Sequence, residues 1–283
     1  MRIKICSDST CDLSAALIER HDIAIMPLHV NLGERACRDG VDVNPDDIFN
    51  HVAATGQLPT TSAIMPADYA DFFRPYAAEY DAVIHVNIGS GFSSCYQNAC
   101  LAAEEFGNVY PVDSQNLSTG QGLVVLACAK LAAEGKEIQP LLDEINALTP
   151  RVEASFLVDR LDYLHKGGRC SAVAALGANL LKLKPCIEVK DGKMGVVKKY
   201  RGNYDKCLAM YVKDRLENRI DDLEHEWIFL THTTMEPKAL SAAAETLDGF
   251  ASNFGEVFET TAGCTVSCHC GPNTLGVLFV RKN

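Results

Sequence analysis

The sequence predicts an α/β protein of two domains, and three observations lead to that fold class. Strand patterns alternate with helix patterns from residue 1 to about residue 135, which is typical of a mostly parallel sheet with flanking helices. After Pro150 hairpin strands mix with helices, which indicates a separate α+β domain. The chain has 283 residues, enough for two domains with cores of their own. We therefore expect an N-terminal α/β domain over residues 1–150 and a C-terminal α+β domain over residues 151–283.

The N-terminal part predicts short strands and helices separated by polar turns. A strand begins at Ile3 and ends in a polar segment, where Asp8 either orients hydroxyl groups or forms a turn. Asn44 and Pro45 indicate a helix start, as the N-cap and the first helical residue. The other elements expected here are a helix over residues 13–20, a strand over residues 23–31, a hairpin turn at Asp39-Gly40, a helix end at Gly56, and a helix start at Pro66.

Residues 82–106 are the most informative stretch of this part. Apolar residues at every second position from 84 to 88 predict a strand. The small residues of 89–94 form a turn, and apolar residues at helical spacing then predict a helix capped by Ser93 or Ser94. Backbone N–H groups point outward at a helix start, and the helix dipole favours negative charge. The turn is therefore expected to hold an acidic ligand head, with a turn that uses serine only as a cap as the alternative.

A second group of hydroxyls precedes this stretch. Thr60, Thr61 and Ser62 lie in what the sequence predicts to be an exposed polar loop. Hydroxyl groups can both donate and accept hydrogen bonds, so they suit a ligand with oxygen atoms. A solvated loop without a binding role is the alternative.

After Pro150 the patterns predict a mixture of strands and helices. The expected elements are a strand over 154–158, a short helix over 161–166 that stops at Gly167-Gly168, a helix over 172–181, a hairpin over 185–200, a helix over 204–219, a strand over 227–230, a helix over 238–254, and strands over 257–261 and 275–280. In the part of the chain before Pro150, the last expected elements are a strand over 109–112 and an apolar helix over 120–133.

Composition excludes several classes of protein. The formal net charge of −11 argues against nucleic acid or an anionic membrane as a standing partner. The chain contains 12 cysteines, scattered without an export signal, and we expect reduced thiols in a cytoplasmic protein.

Several short motifs occur in an order and spacing that resemble one known family. The motifs are KICSDST over 4–10, TS at 61–62, SGFS over 90–93, YQ at 96–97, VDS over 112–114, LDYLHKGGR over 161–169, KP at 184–185, and HCGP over 269–272. Together they resemble the DegV family, the fatty-acid-binding proteins that serve as lipid-carrying subunits of bacterial fatty acid kinase. The resemblance covers essentially the whole chain.

The resemblance implies a protein that holds one long acyl chain in a tunnel, with the ligand between its two domains. The carboxylate is then presented to a separate, ATP-dependent kinase subunit for phosphorylation to an acyl phosphate, so the protein is not catalytic alone. The partners expected are thus a long-chain fatty acid and the kinase subunit, with no nucleic acid, only transient membrane contact, no metal and no other cofactor. By this resemblance the carboxylate partners are Thr61, Ser62, Ser93 and His269, the nearby basic groups are Arg169 and Arg201, and the tunnel residues are Ile64, Phe92, Ala174, Gly177 and Ala178.

The sequence departs from the family pattern at two places. Ser94-Cys95 replaces a more common Gly-Thr, and Asn273 follows Gly271-Pro272 where a further glycine is usual. The second departure concerns the shape of the loop after His269.

Two alternative functions remain open from the sequence. A serine hydrolase would use Ser93, Asp113 and His269, which occur in a permitted chain order, although Cys95 replaces the last glycine of the usual Gly-x-Ser-x-Gly turn. A zinc site would use Cys264, Cys268, His269 and Cys270. If residues 266–270 are extended, however, Cys268 and Cys270 point away from His269.

Overall fold

The structure is a computed structural model that describes residues 1–170 and 183–282. The helix predicted over residues 172–181 lies outside the described residues. In the described part of the chain the strands form a four-stranded parallel sheet, a three-stranded antiparallel sheet and a six-stranded mixed sheet. No helix among these residues is long and apolar enough to cross a membrane.

The four-stranded sheet and its helices come from the first half of the chain. Strands β2, β1, β6 and β7 lie side by side in that order and are all parallel. The predicted mostly parallel sheet with flanking helices is confirmed. The elements of this half are β1 (Ile3–Asp8), α1 (Ala15–Arg20), β2 (Ala24–Met26), β3 (His29–Leu32), β4 (Arg35–Arg38), α2 (Pro45–Thr55), β5 (Thr60–Ser62), α3 (Pro66–Glu79), β6 (Ala82–Asn87), α4 (Cys95–Ala103), β7 (Val109–Asp113), α5 (Thr119–Ala133) and α6 (Ile138–Leu148).

The six-stranded sheet is built from the second half. Its order is β10-β9-β8-β13-β11-β12, and every neighbouring pair is antiparallel except β11 and β12. The elements are β8 (Val152–Leu157), α7 (Asp162–Gly167), β9 (Leu183–Lys190), β10 (Lys193–Arg201), α8 (Tyr204–Leu216), β11 (Leu223–His232), α9 (Pro237–Ala251), β12 (Glu256–Thr261), α10 (Cys264–Cys270) and β13 (Leu275–Arg281). The predicted hairpin is confirmed, since β9 and β10 pair across Asp191-Gly192.

Helix α5 lies between the two large sheets. It contacts β1 and β6 on one side and β8, β11 and β13 on the other. Its residues are buried from Thr119 to Ala129, as expected for a helix that is apolar on all faces. One apolar cluster therefore joins the two halves and includes Val124 of α5 and Phe229 of β11. The division into two domains at residue 150 stays a prediction.

The region over residues 23–62 differs from the sequence prediction. The single strand expected over 23–31 is two strands in two different sheets, because Pro27 lacks the N–H that a continuous ladder needs. The polar loop at Thr60–Ser62 is strand β5, which pairs antiparallel with β3. The hairpin of β3 and β4 turns at Gly33, whose φ is 63°, and Asp39-Gly40 follows β4 instead.

The segment after Gly263 also differs from the expected conformation. Residues 266–270 are not extended but belong to helix α10. The usual glycine after Gly271-Pro272 is replaced by Asn273, whose φ of 55° is left-handed. Asparagine tolerates this conformation better than most residues do, so the departure at 273 leaves room for the left-handed turn.

Candidate ligand-binding site

A cavity of about 190 Å³ lies where β5, α10, β10 and the turn over residues 89–94, here called the serine turn, come together. Its polar lining is Thr61, Ser62, Ser93, Ser94, Arg169, Thr265 and His269. Its apolar lining is Leu28, Ala63, Ile88, Phe92, Leu117, Met194, Val266 and Cys270. None of the described residues in this wall is acidic. The cavity wall thus offers hydroxyls, an imidazole and a guanidinium together with hydrocarbon side chains.

A hydrogen bond within the cavity wall joins the side chains of Thr61 and His269. Thr61 is the central residue of β5, where it pairs with Val30 of β3. Its Oγ1 lies 2.8 Å from Nε2 of His269, which belongs to the last turn of α10. Two segments 208 residues apart in the sequence therefore meet in a single hydrogen bond, which either group can donate according to the tautomer.

The His269 ring is held in a confined and largely apolar place. Burial, and to a smaller extent the positive charge of Arg169, lowers the pKa of His269 to about 4. The imidazole is therefore neutral at physiological pH. Its Nδ1 is buried and has no hydrogen-bond partner among the described residues. A Cβ added at Gly167 would lie 2.5 Å from this Nδ1, so only glycine lets α7 approach the ring so closely.

The serine turn is fixed by backbone contacts on both sides. The Gly89 N–H donates to the Asn116 carbonyl at 2.7 Å, and the Phe92 N–H donates to the Gly89 carbonyl at 2.9 Å. A Cβ added at Gly91 would lie 2.1 Å from the Gly192 carbonyl oxygen at the tip of the β9–β10 hairpin. The turn is therefore enclosed by the hairpin, and no side chain fits at position 91 without moving it.

Ser93 is one of the two serines of this turn that line the cavity. Its Oγ accepts from the Cys95 N–H at 3.3 Å and donates to the Cys95 Sγ at 3.2 Å. Ser94 is the N-cap residue of α4 but makes no capping bond with its side chain. Ser93 therefore caps the helix, as expected, through a long and weak bond that leaves its hydroxyl able to change partner.

Ser62 and Arg169 complete the polar wall. The Ser62 hydroxyl accepts from the Asn31 side-chain amide at 3.2 Å. Arg169 is exposed, and its Nη1 donates to the Gly167 carbonyl at 2.8 Å. The guanidinium thus contributes positive charge at the solvent side of the cavity.

The apolar wall of the cavity adjoins a second, narrower cavity. Leu117, Val266 and Cys270 line both. The remaining wall of the second cavity includes Phe156 and Leu278 from the six-stranded sheet, and also the polar residues Ser118, Ser155, Thr231, His232, Thr233 and Thr274. The two cavities therefore adjoin at their shared apolar residues, and the second is lined mainly by the six-stranded sheet.

The structure brings most of the predicted site residues into one place. Thr61, Ser62, Ser93, His269, Arg169 and Phe92 all line the first cavity. Ile64 does not: it is fully buried in the core, and its carbonyl accepts from the Asn98 side chain. Arg201 is exposed at the end of β10 and is not part of either cavity wall. The predicted tunnel residues Ala174, Gly177 and Ala178 lie outside the described residues.

Several lining residues were not predicted. Leu28 lies between β2 and β3, Met194 lies on β10, and Thr265 lies on α10. Each reaches the cavity through a contact between distant segments, and nothing in the local sequence marks it. Ser94 could have been found, because it adjoins Ser93 in the serine turn.

The predicted hydrolase triad is not assembled in the described structure. Both Asp113 carboxylate oxygens are engaged by Ser90, at 3.0 Å from its N–H and 2.5 Å from its hydroxyl. In a triad this carboxylate would instead accept from His269 Nδ1, which has no partner. Ser93 is bonded to Cys95 rather than to the imidazole. The geometry therefore does not support the serine hydrolase.

The cysteines near His269 do not form a metal site in the described residues. Because α10 is helical, Cys264 and Cys268 lie on one face, and both pack in a small apolar cluster with Val30 and Cys37. The Cys264 thiol donates to the Val43 carbonyl at 3.3 Å. Over residues 1–170 and 183–282 no group of three or more His, Cys, Asp or Glu side chains is arranged to hold an ion.

Comparison with known proteins identifies the family of the chain. The family model described as "Uncharacterised protein, DegV family" matches residues 2–282. A DegV domain-containing protein of Clostridium acetobutylicum is 35% identical over 283 residues, which cover 99% of each chain. A DegV domain-containing protein of Clostridium perfringens is 34% identical, again over 99% of each.

Solved structures agree with this result. A structure described as fatty acid binding of a DegV family protein from Thermus thermophilus has a TM-score of 0.90, with 30% identity and complete coverage of both chains. A fatty-acid (stearic acid)-binding protein from Eubacterium ventriosum has a TM-score of 0.83 and 28% identity over 99% of this chain and 98% of that one. Sequence, fold and the shared motifs thus lead to one conclusion: this chain belongs to the DegV family.

Proposed function

We propose that this protein binds a long-chain fatty acid and presents its carboxylate to a separate ATP-dependent kinase subunit. The carboxylate lies at Thr61, Ser62, Ser93 and His269, and the acyl chain extends along the apolar residues of the two adjoining cavities. The kinase transfers the γ-phosphoryl group of ATP to a carboxylate oxygen, which gives an acyl phosphate and ADP. The protein itself supplies binding and orientation and no catalytic group.

The observation that carries this proposal is the composition of the first cavity wall. Its described residues offer hydroxyl donors, a neutral imidazole and the Arg169 guanidinium, and none of them is an acid. Groups of this kind complete their hydrogen bonds when an anionic oxygen ligand enters. Neutral donors can hold a carboxylate and also the acyl phosphate formed from it, whereas a buried arginine clamp would hinder release.

The apolar residues of the two cavities support a long chain as the rest of the ligand. Burial of each CH₂ group contributes about 0.8 kcal/mol, so a chain of about sixteen carbons gains on the order of 10 kcal/mol before entropic losses. The tail can therefore supply the affinity. The head group is left free to serve orientation and access.

The described ligands of relatives support the same class. The protein from Thermus thermophilus is described as fatty acid binding, and the one from Eubacterium ventriosum as stearic acid binding. Both share the fold over nearly their whole length. Their ligands, transferred to this chain, fit a cavity with a hydroxyl-rich head and an apolar continuation.

Extraction of the purified protein with organic solvent, followed by mass spectrometry, tests the binding. We expect about one fatty acid per chain, and the mass gives its length. A delipidated sample should take up the same acid again at one per chain. A lipid-free protein that resists loading with any fatty acid would contradict the proposal.

The kinase step needs a separate test, because binding alone does not require it. Arg201 is an exposed cation outside the cavity wall, and we propose that it contacts the kinase subunit or its nucleotide. Arg201→Ala should keep its lipid and lose phosphorylation by the kinase, whereas Lys199→Ala, a neighbouring exposed cation on β10, should keep both. Loss of lipid from Arg201→Ala with an intact fold would contradict this division of roles.

A further inference from the structure

Helix α10 carries His269 at its end, and its start is held by two carboxyl groups from the other half of the chain. Three consecutive backbone N–H groups, those of Gly263, Cys264 and Thr265, point at Asp12 and Asp39. The first N–H groups of a helix have no partners within the helix, so side-chain acceptors decide where the helix begins. Both acceptors lie more than 220 residues away in the sequence.

Asp39 makes the larger share of these contacts. Its Oδ1 accepts from the Cys264 N–H at 2.9 Å, and its Oδ2 accepts from the Thr265 N–H at 3.1 Å and from the Ser9 hydroxyl at 3.1 Å. All three partners are donors. The site therefore requires a group that accepts on both oxygens, which a carboxylate does and an amide does not.

The backbone of Asp39 belongs to the region that holds the other head-group residues. Asp39 directly follows β4, which pairs with β3, and β3 pairs with the Thr61 strand β5. Its N–H donates to the carbonyl of Leu28, a residue of the cavity wall, at 2.8 Å. One buried side chain thus joins the three-stranded sheet that carries Thr61 to the helix that carries His269.

We propose that Asp39 is a positioning residue for the head-group site: it fixes α10 against the three-stranded sheet and so places His269 Nε2 next to Thr61 Oγ1. This inference rests on the proposed binding of a fatty-acid carboxylate at these two residues. Helix α10 is only seven residues long, so a shift at its start is carried directly to its last turn. Asp39 does not touch the ligand and acts through His269.

Asp12 offers a matched control at the same helix start. Its Oδ1 accepts from the Gly263 N–H at 2.8 Å, and its Oδ2 lies 2.6 Å from the Ser118 hydroxyl. Burial raises the pKa of Asp12 to about 8, so this carboxyl is largely protonated at neutral pH. An asparagine can reproduce both contacts, because it accepts from Gly263 and donates to Ser118. Asp12→Asn should therefore leave the helix in place. In Asp39→Asn, by contrast, the side-chain NH₂ group would face N–H and O–H donors and could not accept hydrogen bonds from them.

The test is a double-mutant cycle on delipidated protein, titrated with hexadecanoate and with methyl hexadecanoate. Asp39→Asn should lower the affinity for the acid about tenfold, the scale of one charge-assisted hydrogen bond, and leave that for the ester within about twofold. In the His269→Ala background the same substitution should change the acid affinity by less than about twofold, since Asp39 acts through His269.

NMR of the His269 imidazole gives a second measurement. Its signals should shift in Asp39→Asn and stay in place in Asp12→Asn.

Two further variants keep the test decisive. Gly263→Ala replaces Asp39→Asn if that variant fails to fold. It retains both carboxyl groups but adds a methyl group 3.0 Å from Asp12 Oδ1 and 3.4 Å from Asp39 Oδ1, so it should also weaken acid binding. Tyr200→Phe removes a hydroxyl that donates to Asp214 at 2.6 Å and belongs to neither cavity wall, and it should change neither ligand's affinity.

The outcomes separate this inference from the proposed function. Equal losses for acid and ester, or a full tenfold loss in the His269→Ala background, would overturn the positioning role while the binding proposal stands. Wild-type protein that binds the acid and the ester equally well would overturn both, because no head-group site would then exist for Asp39 to organise.

Discussion

Two polar clusters in this protein each contain a histidine, and they differ in the source of the negative charge. In the core under the serine turn, His85 Nε2 lies 3.0 Å from the Asp8 carboxylate, which also accepts from Tyr69, Asn87 and the Ile88 N–H. All of these side chains are buried. In the cavity, the second histidine, His269, meets the hydroxyl of Thr61 instead.

The two clusters differ in whether the protein itself supplies the acid. In the Asp8 cluster the carboxylate belongs to the protein itself and accepts four hydrogen bonds. The cluster fixes the end of β6, from which the serine turn begins. The cavity wall has donors and no acid among the described residues. In our proposal the ligand supplies the carboxylate that the cavity lacks. The sequence left open whether Asp8 orients hydroxyls or forms a turn, and the structure assigns it to the buried cluster.

The largest expected effect is the loss of stability when Asp8 of the buried cluster is replaced. Asp8→Ala should lower the free energy of unfolding by about 3–5 kcal/mol, because it leaves several buried donors without an acceptor. Denaturant unfolding measures this. The exposed Asp42, which pairs with Arg38, provides the control, and Asp42→Ala should be far milder. A loss for Asp8→Ala no greater than that of the control would refute the supporting role.

The buried, neutral imidazole of His269 predicts that the stability of the native protein depends on pH. The pKa of His269 is lowered to about 4 in the native protein, from an ordinary value of 6.5. Between these values the unfolded chain binds a proton that the native protein does not, so native stability falls as the pH drops from 6.5 to 4. Ligand-free wild type should lose about 2–3 kcal/mol relative to His269→Gln over this window. Urea unfolding at pH 7 and 4.5 measures it, and parallel changes in the two proteins would contradict a buried, neutral imidazole.

A smaller effect is expected from crowding the His269 ring. A Gly167→Ala methyl group would meet His269 Nδ1 at 2.5 Å, so the ring must move. We expect hexadecanoate affinity to fall about tenfold and methyl ester affinity to stay unchanged, since only the acid uses the ring. Gly249→Ala in helix α9 meets no atom within 4 Å and should stabilise the protein by about 0.5–1 kcal/mol without changing affinity. Equal losses for both ligands in Gly167→Ala would show that the ring does not contact the head group.

The smallest effect concerns a single hydroxyl of the serine turn. Ser93→Ala should lower the acid affinity by about fivefold, or ~1 kcal/mol, and should not release the acyl chain, because tail burial dominates the affinity. Ser90 is the control in the same turn, since its hydroxyl donates to Asp113 and is not part of the cavity wall. Unchanged acid affinity in Ser93→Ala, together with full phosphorylation by the kinase subunit, would remove Ser93 from the site.

The sequence predicts much of this fold because many elements carry their own local signals. Helix α2 begins with the Asn44 cap, whose Oδ1 accepts from the Asp46 and Asp47 N–H groups, and ends at Gly56 with φ of 72°. Both ends were predicted. The strand, turn and helix of residues 82–103 follow from alternation, small residues and helical spacing in the same way.

Elements whose formation depends on contacts with distant segments could not be predicted from the local sequence. Strand β5 is three polar residues, and only its pairing with β3 distinguishes it from a loop. Helix α10 has no local capping side chain, and its first N–H groups are accepted by carboxyl groups more than 220 residues away. Both errors concern the cavity itself, because Thr61 and His269 lie on these two elements. The candidate site residues came from the resemblance to the family, while the contact between Thr61 and His269 needed the structure.

The most direct test of the account is ¹³C NMR of hexadecanoate labelled at its carboxyl carbon and bound to the protein. We predict one bound carboxyl resonance at one ligand per chain, shifted from that of the free acid. It should move in His269→Gln and in Ser93→Ala and remain unchanged in Ser90→Ala. A bound resonance that titrates like the free acid and is unchanged in His269→Gln and in Ser93→Ala would contradict a head group held by Thr61, Ser62, Ser93 and His269.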